Sequence, residues 1–249
     1  LPFFFFFSVP GANVLALSLL NAAAFTAAIF FLYSALRIAR ASDVAPAVGG
    51  VSAIATMLFA AMAIEGDVTP TLFFPVLLLA GGTAVISHFH FSRRAILFTL
   101  AAGFFFGLAA FLSKLVFLEV AFLDGFFWPR MMNVVVALSL LCIPHFRHAI
   151  FQGGGKSSNN AKGLVLGNKI LGGVAAALTA FAVSVGSVTV VNALGGLQFV
   201  FLFVFAFLFA RYMPGLRENG VAHGGWHTAA GVTLIALGLA LVYYLHLSV

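Results

Sequence analysis

The chain has 249 residues, of which 63% are hydrophobic and 7% are charged. A soluble domain carries about 25% charged residues, which cover its surface, so this composition excludes the soluble globular class. It also excludes intrinsic disorder, because disordered chains are poor in apolar and aromatic residues. The formal charge of +6 comes from basic residues in short loops between apolar runs. We therefore expect an integral membrane protein with no nucleic-acid partner.

Long apolar runs divide the chain into eight predicted membrane-spanning helices. About 20 apolar residues are needed to cross the hydrocarbon core, and continuous apolar runs favour helices over the alternating strands of a barrel. Residues 1–10 are interpreted as the end of one more helix, and residues 152–162 as a flexible loop. The predicted fold class is all-α, a polytopic transmembrane helix bundle. The predicted spans are 13–36, 44–64, 69–87, 94–117, 126–144, 168–187, 191–212 and 227–247.

The basic residues support this segmentation, because alternate loops of a membrane protein lie on one side of the membrane. Ten of the twelve basic residues fall on one side of the membrane by this segmentation, and Lys114 and Arg130 fall on the other. The positive-inside rule then places both chain ends outside the cytoplasm. We expect a multi-pass protein of the cell membrane, either an inner or a plasma membrane.

Two stretches of the chain are similar to each other at an offset of 146 residues, namely 41–50 and 187–196. Val44 matches Val190, and both stretches end in a pair of glycines. Each stretch joins one apolar helix to the next. Predicted spans 1–3 are therefore equivalent to predicted spans 6–8.

The repeat predicts a larger architecture. Predicted spans 4 and 5 precede the second trio, so the repeating unit has five helices and two copies cross the membrane in opposite senses. We expect a first repeat over residues 1–92, lacking two helices upstream of residue 13, and a second over residues 93–249. Eight of ten helices would then be present. Inverted repeats of this kind are typical of secondary transporters, with the substrate near the midplane.

Three stretches carry a resemblance to a known family: 32–67, 113–133 and 168–210. The first, LYSALRIARASDVAPAVGGVSAIATMLFAAMAIEGD, ends a helix in an acidic-glycine turn. Together they resemble the EamA-type permeases of the drug/metabolite transporter superfamily, over nearly the whole chain from residue 13. The resemblance implies ten helices and cytoplasmic chain ends. Since the charge distribution places the ends outside, the orientation stays open.

Polar and aromatic residues within the apolar spans are candidates for a substrate cavity, because polar groups in the membrane are costly. The amides and hydroxyls either line a cavity or form hydrogen bonds between helices. The two aromatic residues either line the cavity or belong to an interfacial belt. The candidate cavity residues are Tyr33, Pro46, Ser52, Thr56, Lys114, Trp128, Ser184, Asn192 and Gln198.

Lys114 is the most deeply placed charge. It either faces the cavity, where it binds an anionic group or a carboxylate, or snorkels toward the interface. The acids Glu65 and Asp67 are interpreted as a solvated pair in a loop. Cys142 lies in an apolar run and is expected to be a small buried hydrophobe.

Small-residue spacing predicts close packing of helices at two places. One is Gly103-x-x-x-Gly107 and the other is Gly163-x-x-x-Gly167. This spacing is common in membrane helices, so it indicates packing rather than a functional site.

The sequence carries no nucleophile elbow, paired carboxylates, phosphate-binding loop or ATP-binding motif. The histidines, among them His88, His90 and His223, complete no metal sphere, so we expect no metal, no cofactor and no enzyme. The favoured function is secondary transport of small metabolites or drugs by alternating access, driven by a proton gradient, exchange or facilitation. Alternatives are a membrane-embedded enzyme or flippase for lipid-linked substrates, and a non-transporting scaffold. Expected partners are an unidentified small molecule and the bilayer, with a second copy of the chain as a candidate.

Overall fold

The fold is built from helices. The structure, a computed structural model, describes residues 9–86, 92–144, 147, 159–209 and 226–247. All regular structure in these ranges is helical, which confirms the all-α fold class. The helices in chain order are α1 (Ala12–Leu36), α2 (Ala41–Ala63), α3 (Pro70–Ile86), α4 (Arg93–Glu119), α5 (Phe122–Leu140), α6 (Asn159–Val185), α7 (Val188–Leu194), α8 (Leu197–Phe209) and α9 (Trp226–Leu247).

Six of the eight predicted spans match single helices closely, and two were predicted wrongly in part. The span predicted over 168–187 starts too late, because α6 already begins at Asn159, within the loop predicted over 152–162. The span predicted over 191–212 is two helices, α7 and α8, separated at Gly195–Gly196. The break packs against α3, since a Cβ added to Gly196 would lie 2.5 Å from the Thr83 hydroxyl. The predicted helix end at 1–10 and His88, His90 and His223 fall mainly or wholly outside the described residues.

Within the described ranges, four helices are long and apolar enough to cross a membrane. They are α1, α2, α4 and the Val165–Val185 part of α6. Shorter apolar segments occur in α3, over Pro70–Thr83, and in α9, over Ala230–Val242. These apolar helices indicate a membrane protein.

Contacts divide the chain into two compact units. Unit 1 comprises Leu1–Thr26 and Leu112–Gly186, and unit 2 comprises Ala27–Phe111 and Ser187–Val249. The division falls within α1, within α4, and between Gly186 and Ser187. The predicted repeat boundary at residue 92 stays a prediction.

The core of unit 2 is formed by α2, α3, α7 and α9. Helices α4 and α2 approach each other closely because two positions on α4 are glycine. A Cβ added to Gly103 would lie 2.5 Å from the Val51 Cβ, and one added to Gly107 would lie 2.6 Å from the Ala55 Cβ. This confirms the packing predicted for the first glycine motif, which seats α4 on α2. The main cluster of buried apolar residues is Ala53, Met57, Val76, Leu79, Ala80, Ala193 and Ile235.

In unit 1, aromatic side chains pack α5 against α6. The ring of Phe122 on α5 packs edge-on against Phe181 on α6, with centroids 5.4 Å apart. The packing predicted for Gly163 and Gly167 is wrong, because a Cβ added at either position would meet nothing within 4 Å. Cys142 is exposed and not buried, since it follows the end of α5 at Leu140 and lies in a turn.

Candidate functional site

Each unit contains a buried charged side chain that lies at the end of a helix. Helix α6 ends at Val185 and α7 begins at Val188. The end of a helix leaves carbonyls without partners, and the start of a helix leaves amides without partners. Lys114 and Asp67 are the charged side chains among the described residues that are buried, and each serves one of these two ends.

In unit 1, Lys114 binds the C-terminal end of α6. Its Nζ donates hydrogen bonds to the backbone carbonyl oxygens of Gly186 (2.7 Å), Val183 (2.9 Å) and Ser184 (3.5 Å). A lysine ammonium has three hydrogens to donate, so these carbonyls can use all of them. A cation is favoured at this end, where the helix dipole is negative. The structure thus shows the side chain directed at a helix terminus, an arrangement that neither interpretation of the sequence included.

A second group of buried polar side chains in unit 1 lies between α1 and α4. The Asn21 Nδ2 donates to the Ser113 Oγ at 2.8 Å, and Ser113 precedes Lys114. Ser18, one turn before Asn21, is fully buried and its hydroxyl has no hydrogen-bond partner among the described residues. These residues make α1 partly polar on its buried face.

In unit 2, Asp67 binds the N-terminal end of α7. Its Oδ1 accepts a hydrogen bond from the Val188 amide at 3.0 Å. Its Oδ2 accepts from the Thr189 amide at 3.3 Å, the Thr189 hydroxyl at 2.7 Å and the Ser187 hydroxyl at 3.0 Å. A carboxylate at this position complements the positive end of the helix. The interpretation of Asp67 as a solvated loop acid is wrong, because its side chain is 6% exposed; Glu65 is exposed, as expected.

The next turn of α7 carries a polar network that reaches α2. The Asn192 Nδ2 donates to the Ser52 Oγ at 3.0 Å, to the Ser52 carbonyl at 3.1 Å and to the Thr56 hydroxyl. The Thr56 hydroxyl has one hydrogen, which it donates to the Ser52 carbonyl at 2.8 Å or shares with the Gly107 carbonyl at 3.2 Å. Ser52 and Thr56 are buried, and Asn192 is half-buried. The network is uncharged, so its chemistry is that of hydrogen bonding alone.

The structure therefore brings three of the predicted cavity residues together in unit 2: Ser52, Thr56 and Asn192. We call these three residues the α7 cluster. Pro46 is buried earlier in the same helix as Ser52. Gln198, on α8, is exposed.

Three of the other predicted cavity residues, Lys114, Ser184 and Trp128, belong to unit 1. In unit 1, Ser184 contributes its carbonyl to Lys114 while its hydroxyl donates to the Phe181 carbonyl at 2.7 Å. Trp128 is buried on α5. Tyr33 is 64% exposed, which suits an interfacial residue better than a cavity residue.

Comparisons with known proteins concern the fold only. No family model matches the chain, and no curated protein matches it. A crystal structure of a protein superimposes with a TM-score of 0.64 at 18% sequence identity, covering 96% of this chain and 88% of that chain. The two chains share a fold. The likeness extends over nearly the whole length of both chains, so it concerns the helix arrangement as a whole and not one motif.

Sequence reasoning missed the role of Asp67 and the buried group on α1. The signal for Asp67 was an acid in the loop between α2 and α3, together with Ser187 and Thr189 at the start of a short apolar helix, 120 and 122 residues later. Such a pairing needs the tertiary fold to be recognised. The signal for Ser18 and Asn21 was their spacing of three within an apolar helix, which places both on one face.

Proposed function

We propose that the chain is a multi-pass secondary transporter of small metabolites or drugs in the cell membrane, working by alternating access. The observation that carries the proposal is the α7 cluster, an uncharged network of an amide and two hydroxyls between apolar helices. Polar residues in membrane helices most often mark substrate pathways or hydrogen bonds between helices. The cluster lies one turn from a helix break, and broken helices are typical of transporter binding sites.

The helix bounds support two repeats. Adding the offset of 146 to α1 gives 158–182, and α6 covers Asn159–Val185. Adding it to α2 gives 187–209, and α7 with α8 covers 188–209. Equivalent helices of similar length in both halves are what two inverted copies require. We therefore propose ten helices in all and membership of the EamA-type permeases, with the orientation open.

The chemistry of the α7 cluster favours a substrate that forms hydrogen bonds. Among the described residues, the hydrogen-bond partners of Asn192 all bind its Nδ2, which leaves the carbonyl Oδ1 as an acceptor for a bound solute. When the solute arrives, the Nδ2 can exchange its bonds to α2 for bonds to the solute. Such an exchange would loosen α7 from α2, which is the kind of ligand-dependent rearrangement that alternating access needs.

The proposal is tested by solute uptake into proteoliposomes. A panel of labelled amino acids, sugars, nucleosides and quaternary amines is offered to vesicles with and without the protein. We expect protein-dependent uptake of at least one class, and a reduction of about tenfold or more in Asn192→Ala, since both hydrogen-bond donors of the amide are lost. Thr179→Ala is the control, because that hydroxyl is exposed on α6 and bonds only the Ala175 carbonyl.

Two outcomes would contradict the proposal. One is uptake by no class of solute above empty vesicles. The other is uptake that Asn192→Ala and Thr179→Ala affect equally. Flipping of a fluorescent lipid without uptake of any solute would favour the flippase alternative.

A further inference from the structure

Four exposed arginines lie at one end of the helices of unit 2. Arg37 and Arg40 are in the connection between α1 and α2, and Arg93 and Arg94 are the first two residues of α4. No ion pair forms at any of them among the described residues. All four side chains are exposed, so an external partner can reach them.

Helix packing brings the two pairs of arginines to the same level. Helices α1 and α4 are antiparallel, because they meet at Asn21 and Ser113 and again at Phe31 and Phe98, whose ring centroids are 6.2 Å apart. Arg37 lies six residues beyond Phe31, and Arg93 lies five residues before Phe98. At a rise of 1.5 Å per residue these steps are about 9 Å and about 7.5 Å in the same direction.

The start of α2 joins this end of the unit. Val44, in the first turn of α2, is buried in one cluster with Ala35 of α1 and Ala102 of α4. Arg40 is the residue directly before α2 and makes no side-chain cap for it. Asp43 is the acidic residue in this first turn. Among the described residues, this end of the unit therefore carries four guanidinium groups and one carboxylate.

Arg40, Arg93 and Arg94 lie at helix starts, where cations are least expected, whereas Arg37 follows the end of α1. The start of a helix carries a partial positive charge, which disfavours basic residues and favours acidic ones. Helix α4 has no acidic residue in its first turn and begins with Arg93 and Arg94. An anion at this end would offset the repulsion, and guanidinium groups bind phosphate oxygens well.

Exposed aliphatic side chains lie directly beside the arginines. Ile38, between Arg37 and Arg40, is 49% exposed, and Leu97, one turn after Arg93, is 65% exposed. Helices α1, α2 and α4 are three of the four that qualify as membrane-crossing. The surface thus places cationic groups above apolar ones at the end of membrane helices, which matches a phospholipid with its phosphate above its acyl chains.

We propose that these four arginines and the aliphatic residues beside them form a binding surface for anionic phospholipids. The phosphate of a headgroup such as phosphatidylglycerol contacts the guanidinium groups, while the acyl chains contact Ile38 and Leu97. Free phosphate shares the headgroup chemistry but lacks the acyl chains. The inference does not depend on transport, because it uses a surface separate from the α7 cluster.

The test is lipid binding to the full chain in detergent, measured by native mass spectrometry with phosphatidylglycerol, phosphatidylcholine and inorganic phosphate as probes. Wild type is expected to bind phosphatidylglycerol in preference to phosphatidylcholine. Each arginine near an anionic lipid contributes about fivefold in affinity. The double variants Arg37→Gln with Arg40→Gln, and Arg93→Gln with Arg94→Gln, should each weaken binding about 25-fold.

Controls separate a specific surface from general charge. Arg130→Gln with Lys169→Gln also removes two positive charges, but from exposed positions elsewhere, and should change the affinity for phosphatidylglycerol less than twofold. Arg93→Lys with Arg94→Lys keeps the charge and should retain most of the affinity, which also shows that the helix start tolerates substitution. Equal losses in the control and test variants would overturn the proposal. Displacement of the lipid by millimolar inorganic phosphate would also overturn it, because it would identify a free-anion site.

Discussion

Replacing Asp67 tests whether the buried carboxylate holds α7 in place. In Asp67→Ala, the amides of Val188 and Thr189 lose their acceptor, while the hydroxyls of Ser187 and Thr189 can turn to other oxygens. A buried donor left without a partner costs about 1–3 kcal/mol, and the lost complement to the helix start adds about 0.3–1 kcal/mol. We expect the free energy of unfolding to fall by about 3–4 kcal/mol, a size typical of breaking a buried charged interaction.

The assay is reversible unfolding in mixed micelles, with SDS as denaturant and circular dichroism as the signal. Asp67→Asn keeps the shape and one acceptor oxygen, so its loss should be smaller, about 2 kcal/mol. Glu65→Gln is the matched control, because Glu65 lies two residues away and is exposed, and we expect no measurable change. An Asp67→Ala protein as stable as Glu65→Gln would refute the capping role.

Two further predictions use the same unfolding assay. Lys114→Met leaves three carbonyls at the end of α6 without a donor and should lower the free energy of unfolding by about 2–4 kcal/mol. Lys169→Met, at an exposed position, should leave it unchanged. Equal effects of the two substitutions would contradict the assigned role of Lys114. Gly107→Ala places a Cβ 2.6 Å from the Ala55 Cβ and should cost about 1–3 kcal/mol. Gly167→Ala meets nothing within 4 Å and should be neutral or stabilising, so a loss there would show that α6 packs against something at this position.

The helices could be predicted from the sequence because apolar length is a local property. The break between α7 and α8 could not, since the same Gly-Gly pair occurs at Gly49–Gly50 within the continuous helix α2. Intrinsic propensity is equal at the two places. The difference lies in the surroundings of Gly196, which packs against Thr83 of α3.

The α7 cluster was partly predictable and the charged helix ends were not. Ser52, Thr56 and Asn192 stood out as polar residues at related places in the two repeats. Asp67 was interpreted as solvated because an acid in a loop usually is, and its partners lie 120 or more residues away along the chain. Lys114 could be recognised as buried, but its carbonyl partners belong to the backbone and leave no mark in the sequence.

The most direct test of a transport pathway is the access of water-soluble reagents to Asn192. Asn192→Cys is made in a Cys142→Ala background, and a membrane-impermeant maleimide is applied from either side of sealed vesicles. Thr179→Cys, exposed on α6, is the lipid-facing control. We predict that Asn192→Cys is labelled from both sides and that Thr179→Cys is labelled from neither. An Asn192→Cys protein that stays unlabelled from both sides would contradict a solute pathway at the α7 cluster.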